Sequence, residues 1–182
     1  MLCGIDEAGR GCLAGPLVVA GCVLYETVNS LDDSKALSPK RRDELFKAIK
    51  NNAKFTLVWF SHKRVDEWGL SKCLEMAILR IQKEFKEYEI LMDGNCSFGV
   101  KNIKTLVKAD ALIPQVSAAS ILAKVARDRY MLRMSERYPN YGFSSHKGYG
   151  AKKHIDAIKL HGPSPIQRHS FIIKSLRQGS LF

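Results

Sequence analysis

At 182 residues the chain is sized for one domain, which at this length buries about 70% of the surface its unfolded form exposes. With 46% hydrophobic and 26% charged residues and no long Pro, Gly or Ser tract, the composition excludes disordered, collagen-like and coiled-coil chains. Twenty-nine Lys and Arg against 18 Asp and Glu give a net charge of +11, which points to a polyanion such as nucleic acid, with a basic surface kept for solubility as the plain alternative. No apolar run approaches the roughly 18 to 20 residues that span a bilayer, and the opening MLCGIDEAGRG meets two acids before a signal-peptide core can form. The five cysteines are widely spaced, with no CxxC pair, and read as reduced, mostly buried thiols. A cytoplasmic protein with no membrane segment is expected.

Cys3 to Asp6 reads as a short strand running into a Gly-rich bend, and Leu17 to Leu24 (LVVAGCVL) as an apolar, β-branched strand that returns beside it as a hairpin. Ser38-Pro39 marks a helix start, with Leu45, Phe46 and Ile49 as its apolar face, and Phe55 to Phe60 is a third strand. Leu74, Ala77, Ile78, Ile81 and Phe85 recur at helical spacing, which predicts a helix from about Ser71 to Glu87. Ile90 to Asp93 (ILMD) is then a buried strand ending in an acid, and Ile103 to Val107 a fifth strand. The run from Ser117 (SAASILAKVARDRYMLRM) is the strongest helix in the sequence. Tyr138 to Gly150 reads as a loop, and Ala151 to His161 as a short basic helix stopped by Gly162 and Pro163. Strands alternating with crossover helices after an antiparallel hairpin argue an α/β domain with a mixed sheet.

The sharpest local feature is Asp6-Glu7-Ala8-Gly9-Arg10-Gly11, two carboxylates at a strand end followed by two glycines around an arginine. Buried acids must be protonated or paired, and a divalent cation is one of the few partners that lets two stay ionised side by side. Successive strand residues face opposite ways, so both acids reach one ion only if the backbone turns at Glu7. A solvated strand end is the plain alternative. Asp93 and Asp110, each following an apolar strand, join Asp6 and Glu7 at one edge if the strands are neighbours. Four oxygen donors without His or Cys suit Mg²⁺ or Mn²⁺ rather than Zn²⁺. An acidic, metal-binding pocket inside a basic protein points to phosphodiester chemistry, with two ions roughly 3.5 to 4 Å apart.

On these residues, with Asp6 to Gly11 joined by Leu13 to Pro16, Asp33-Ser34-Lys35, Met92-Asp93-Gly94, Lys108-Ala109-Asp110, Ser117 to Ser120, Ala123 to Asp128 and His146 to Tyr149, the chain resembles bacterial type 2 ribonucleases H, the ribonuclease HII family. The resemblance implies a ribonuclease H-like fold: a five-stranded mixed sheet flanked by helices, with a small helical C-terminal part. It implies endonucleolytic cleavage of RNA in RNA·DNA hybrids, or at a ribonucleotide embedded in duplex DNA, with Asp6, Glu7, Asp93 and Asp110 binding Mg²⁺ or Mn²⁺. It carries over to Gly9, Arg10 and Gly11 the approach of main chain to the ribose 2′-OH, and to Tyr149 packing on the neighbouring deoxynucleotide sugar. Cys12, where proline is common, and Ala109, where many members have glycine, depart from the pattern and bear on how rigidly the bend is held. A nuclease or integrase of the same fold, or a nucleic-acid-binding protein without turnover, are the competing readings.

Weaker signals remain. Lys35 is either a phosphate contact or a solvated loop lysine, and Ser117 and Ser120 at a helix start suit a phosphate or simple capping. His146, Lys147, Lys152, Lys153 and His154 form a basic flank to Tyr149, read as backbone contact to DNA with a solvated face as the alternative. Asp128 reads as a structural ion pair, and Trp59 and Trp68 as core or helix-packing residues. The whole of 1–182 is expected to be one catalytic domain with a helical appendage at about 139–176 and a tail at 177–182. Gln178 to Phe182 resembles the QxxLF-type peptides that bind the replication sliding clamp, a frayed or self-docked tail being the alternative.

Overall fold

The structure, a computed structural model, describes residues 1–28, 31 and 37–171. Lys35 with the rest of Asp33-Ser34-Lys35, and the tail Gln178 to Phe182, lie outside the described residues. A five-stranded mixed sheet forms the centre, in the order β3-β2-β1-β4-β5. Its strands are β1 (Leu2–Ala8), β2 (Leu17–Leu24), β3 (Ala53–Phe60), β4 (Glu89–Asp93) and β5 (Lys104–Leu106). β1 and β2 form the antiparallel hairpin, β2 pairs antiparallel with β3, and β4 and β5 add in parallel beyond β1. Every residue of β2 is buried, as an apolar strand covered on both faces must be.

The helices are α1 (Pro39–Asn52), α2 (His62–Glu84), α3 (Ala109–Leu112), α4 (Pro114–Arg137), α5 (Phe143–His146) and α6 (Lys152–His161). Ser38 caps α1 by accepting the Arg41 N–H at 3.2 Å, Pro39 opens the first turn, and Leu45, Phe46 and Ile49 are its buried face. Strand alternation divides the core. Cys3, Ile5 and Met92 pack under α2 with Leu74, Ala77, Ile78 and Ile81, while Ala8, Val18, Ala20 and Cys22 meet α1 and α4 on the other face. Each fully buried Leu or Ile contributes about 1.5 to 3 kcal/mol, so these two layers fix the sheet.

The strand and helix ends shift by a few residues from the sequence reading, and the larger differences are three. α2 begins at His62, capped by Ser61, because the chain stays helical on both sides of the break at Gly69 (φ 77°). α4 begins at Pro114, ahead of Ser117, with the four-residue α3 before it. Pro139–Tyr141 is a 3-10 turn and Phe143–His146 a helical turn where a plain loop was expected; Ala14, Met131, Phe143 and Ile166 form a small core of their own here. Trp59 and Trp68 are 41% and 42% exposed, packing residues at the surface rather than core. Cys3, Cys12, Cys22 and Cys73 are buried, Cys96 is exposed, and all five are free thiols. Among the described residues no helix is long and apolar enough to cross a membrane.

Candidate active site

β1 carries Asp6 on the α4 face and β4 ends at Asp93; the parallel register Ile5↔Met92 sets these two residues at the same level on neighbouring strands. Asp6 is 6% exposed. Its Oδ1 accepts the Glu7 N–H at 2.7 Å, and Ser120 on α4 hydrogen-bonds its carboxyl. Burial, and then the charges of Glu7 and Asp93, push Asp6 up to about 8 against those hydrogen bonds. Asp93 Oδ1 accepts the Ala109 N–H at 2.8 Å, which docks the start of α3 on the end of β4 and brings buried Asp110 to the same edge. Ser117 donates to the Asp110 carbonyl, holding that turn from α4.

The bend expected at Glu7 lies further on. β1 stays paired through Glu7↔Val19 and Ala8↔Val18 and turns at Gly9, whose φ is 94°. Ladder pairing keeps Glu7 extended, so it faces away from Asp6 and toward Arg10, 3.5 Å from its guanidinium. Among the described residues no three Asp, Glu, His or Cys side chains are drawn into a ready-made metal cluster. The donor set still fits a hard cation: all four groups offer carboxylate oxygen, and burial, with the charges of Glu7 and Asp93 beside it, makes ionising Asp6 costly until a cation is bound.

Beside the acids, two chain segments are welded together. Leu13 and Ala14 N–H groups both donate to Gly148 O, at 2.8 and 3.2 Å, so the Gly9–Gly11 bend and the Tyr149 loop form one surface. Gly148 has φ 83°, and a Cβ there would lie 2.5 Å from Ala14 O, so only glycine permits this approach. Gly9 is similarly confined against Arg127 and Pro16 O, while Gly11 has open space in front of it. Tyr149 is 40% exposed. Its hydroxyl hydrogen-bonds buried Cys12, and its ring has Lys124 Nζ and Arg127 Cζ each 5.5 Å from the centroid. Burial, followed by Cys12, pushes Tyr149 up to about 12, so the phenol stays neutral. Cys12 in place of proline thus supplies a contact to the tyrosine, and Ala109 still offers its N–H to Asp93.

Other expected contacts are placed differently. Ser117 lies in the first turn of α4 and Ser120 in the second, 1% and 4% exposed; Ser117 donates to the Asp110 carbonyl and Ser120 bonds the Asp6 carboxyl. His146 is no surface cation. Its Nδ1 accepts the Gly148 N–H at 3.2 Å and its Nε2–H donates to Tyr141 O at 2.8 Å, and its ring stacks on His154 at 4.5 Å. His154 is buried, with Nδ1–H donating to Tyr149 O at 2.9 Å, and burial holds both imidazoles below the usual histidine range. Lys147, half-buried at φ 51°, donates to Ser144 O. Asp128 pairs with Lys124 at 3.0 Å, as read. The sequence reading missed Arg127 and Arg168, both fully buried beneath this surface. Charged residues within an apolar helix, as in AKVARD, are the one signal that marked Arg127.

The Ribonuclease HII family model matches residues 3–174. The chain is 53% identical over 182 residues to a ribonuclease HII of Campylobacter concisus, covering 100% of this chain and 98% of that one. It is 52% identical over 181 residues to one from Sulfurovum sp., covering 100% and 96%. Among solved structures, the ribonuclease HII in the PCNA:RNase HII complex from Archaeoglobus fulgidus superposes with a TM-score of 0.82 at 28% identity, covering 96% of each chain. The fold, the sheet edge and these matches together place the chain in the ribonuclease HII family: it is a phosphodiester-cleaving endoribonuclease.

Proposed function

We propose that the protein cleaves the RNA strand of RNA·DNA hybrids and nicks duplex DNA on an embedded ribonucleotide, so removing misincorporated ribonucleotides. The observation that carries this reading is the joining of the Gly9–Gly11 bend to the Tyr149 loop through Gly148 O, beside buried Asp6. Reading RNA against DNA at one position needs polar groups near the 2′-OH, and Gly9, Arg10 and Gly11 bring main chain there without a side chain over Gly11. Tyr149 offers a neutral ring face to the next sugar, where an added hydroxyl is crowded. Asp6, Glu7, Asp93 and Asp110 would hold the divalent cations, Mg²⁺ or Mn²⁺, for which Glu7 turns from Arg10. Bound there, two ions supply activation of water and stabilisation of the leaving oxygen. Ser117 and Ser120 act through the acids they hold, and Lys35 supplies a phosphate contact. Phosphate contacts position the duplex along the groove of about 410 Å³ in whose lining Arg42, Lys124, Arg129 and Lys147 outnumber Asp43 and Asp128.

The same reading treats 1–182 as one cytoplasmic catalytic domain with a helical appendage at about 139–176, and Gln178 to Phe182 as a sliding-clamp peptide. Support for the clamp contact comes from the Archaeoglobus fulgidus relative, solved in complex with PCNA. The test is a duplex DNA carrying one ribonucleotide and a continuous RNA·DNA hybrid, each incubated with Mg²⁺, Mn²⁺ or EDTA. Cleavage of both with metal and of neither in EDTA is expected; an intact ribonucleotide-bearing duplex with either metal refutes the reading.

A further inference from the structure

Among the described residues Arg127 and Arg168 are the largest fully buried side chains, and both lie under the surface formed by the bend and the tyrosine loop. A buried guanidinium is costly unless its donors are taken up. Among the described residues neither pairs with a carboxylate. They bond main-chain carbonyls instead. Arg127 Nε donates to Pro16 O at 2.9 Å, Nη2 to Ala14 O at 3.0 Å and Nη1 to Lys147 O at 2.9 Å. Arg168 Nε donates to Gly15 O at 2.9 Å and Nη1 to Arg10 O at 3.2 Å. Burial pulls Arg168 down to about 10, with Arg127 adding repulsion, and the group is still a cation at neutral pH.

The three donors of Arg127 therefore span both segments: two carbonyls belong to the loop that follows the bend, and the third immediately precedes Gly148-Tyr149. The same guanidinium packs against Gly9, leaving no room for a side chain there, and lies 5.5 Å from the centre of the Tyr149 ring. A lysine offers one point charge and cannot reach three carbonyls in a plane. A hydrophobic replacement would leave those carbonyls buried without donors.

We infer that Arg127 is a positioning residue for substrate discrimination: it fixes the separation between the Gly9–Gly11 bend, which Arg168 braces through Arg10 O and Gly15 O, and Tyr149, and so the spacing at which a ribonucleotide and its neighbouring deoxynucleotide are read together. The inference rests on the proposed reading of those two elements. It separates reading from binding, because affinity for the duplex comes from surface cations while both arginines are buried. It also separates the single-ribonucleotide substrate from a continuous hybrid, in which the neighbouring sugar carries a 2′-OH and the tyrosine contact discriminates nothing.

The test is Arg127→Lys, with Arg168→Lys as the second variant, assayed on a duplex with one ribonucleotide and on a continuous hybrid. A misplacement of about 1 Å costs on the order of 100-fold. The expected result is a fall in kcat of at least about 10-fold on the single ribonucleotide with KM changed by less than about 3-fold, and a much smaller fall on the hybrid. In a Tyr149→Ala background the Arg127→Lys change should no longer alter the ratio of the two activities, since the arginine acts through the tyrosine. Equal losses on both substrates, or an unchanged ratio, overturn the inference. Amide hydrogen exchange on the wild type tests the joining of the two segments without any variant: the Leu13 and Ala14 amides, bonded to Gly148 O, should exchange as slowly as the most protected amides of β1 and β2, and fast exchange overturns it. Failure of the wild type to nick the ribonucleotide-bearing duplex would sink the functional reading instead, leaving the exchange result to stand by itself.

Discussion

Replacing Asp6 by Asn should stabilise the metal-free protein, and the gain should grow with pH. Asp6 is buried beside the charges of Glu7 and Asp93 and is raised from 3.8 to about 8. A carboxyl raised on folding contributes stability that is complete below its unfolded value and is lost as pH rises toward its folded value. At about 1.36 kcal/mol per unit, the three units from pH 5 to pH 8 amount to about 4 kcal/mol lost by the wild type and not by Asp6→Asn. Asn keeps an oxygen for the Glu7 N–H and an amide that can donate to Ser120, so the fold is not otherwise harmed. Water reaching the edge lowers the figure, and we expect at least about 2 kcal/mol, or about 4 to 8 °C in Tm, at pH 8 in EDTA. The difference should shrink strongly at pH 5. Adding Mg²⁺ should narrow it again, because an ion at 100 times its Kd stabilises the wild type by about 2.7 kcal/mol and the variant by less. Thermal and urea unfolding at the two pH values measure all three effects. A destabilised Asp6→Asn, or a difference independent of pH, would refute the argument that Asp6 is buried beside other carboxylates at a cost to the metal-free fold.

Tyr149→Ala should lower cleavage at a single embedded ribonucleotide more than it weakens duplex binding, read by nicking rate against Kd at matched salt; equal losses would make Tyr149 an affinity contact only. Gly148→Ala should cost about 2 kcal/mol or more in urea unfolding, since its φ of 83° and the 2.5 Å approach to Ala14 O both oppose a Cβ. It should also depress nicking by parting the two reading segments. Deleting Gln178 to Phe182 should leave nicking of short duplexes unchanged and abolish clamp binding in a pull-down or calorimetric assay; undiminished clamp binding would rule the tail out.

Asp6 and Asp93 were legible as strand-end acids because an ILMD or CGID run announces both a buried strand and the charge that stops it. Their adjacency was not, since strand order depends on how β4 crosses to lie beside β1, a tertiary choice that no local pattern encodes. The bend was misplaced by two residues: Gly9 makes it cheap, but ladder pairing with β2 holds the chain extended until that glycine is reached. Ser117 and Ser120 look like a helix start because α4 reads most strongly from there, while Ile113-Pro114, the actual boundary, follows a helix of only four residues with no periodicity to see. His146 and Arg127 show the deeper limit. A histidine that caps a turn and an arginine that bonds three carbonyls have the same sequence signature as solvated cations, and only burial tells them apart.

On the proposed reading Asp6 and Glu7 near the end of β1, Asp93 at the end of β4 and Asp110 in α3 perform the cleavage at the position that the bend and Tyr149 select. The most direct measurement is nucleotide-resolution mapping of products from a duplex with one ribonucleotide, incubated with Mg²⁺ or Mn²⁺ and wild type, Asp6→Asn or Asp93→Asn. A single nick at the ribonucleotide by the wild type, and none by either folded variant, is predicted; normal nicking by both variants would contradict the account.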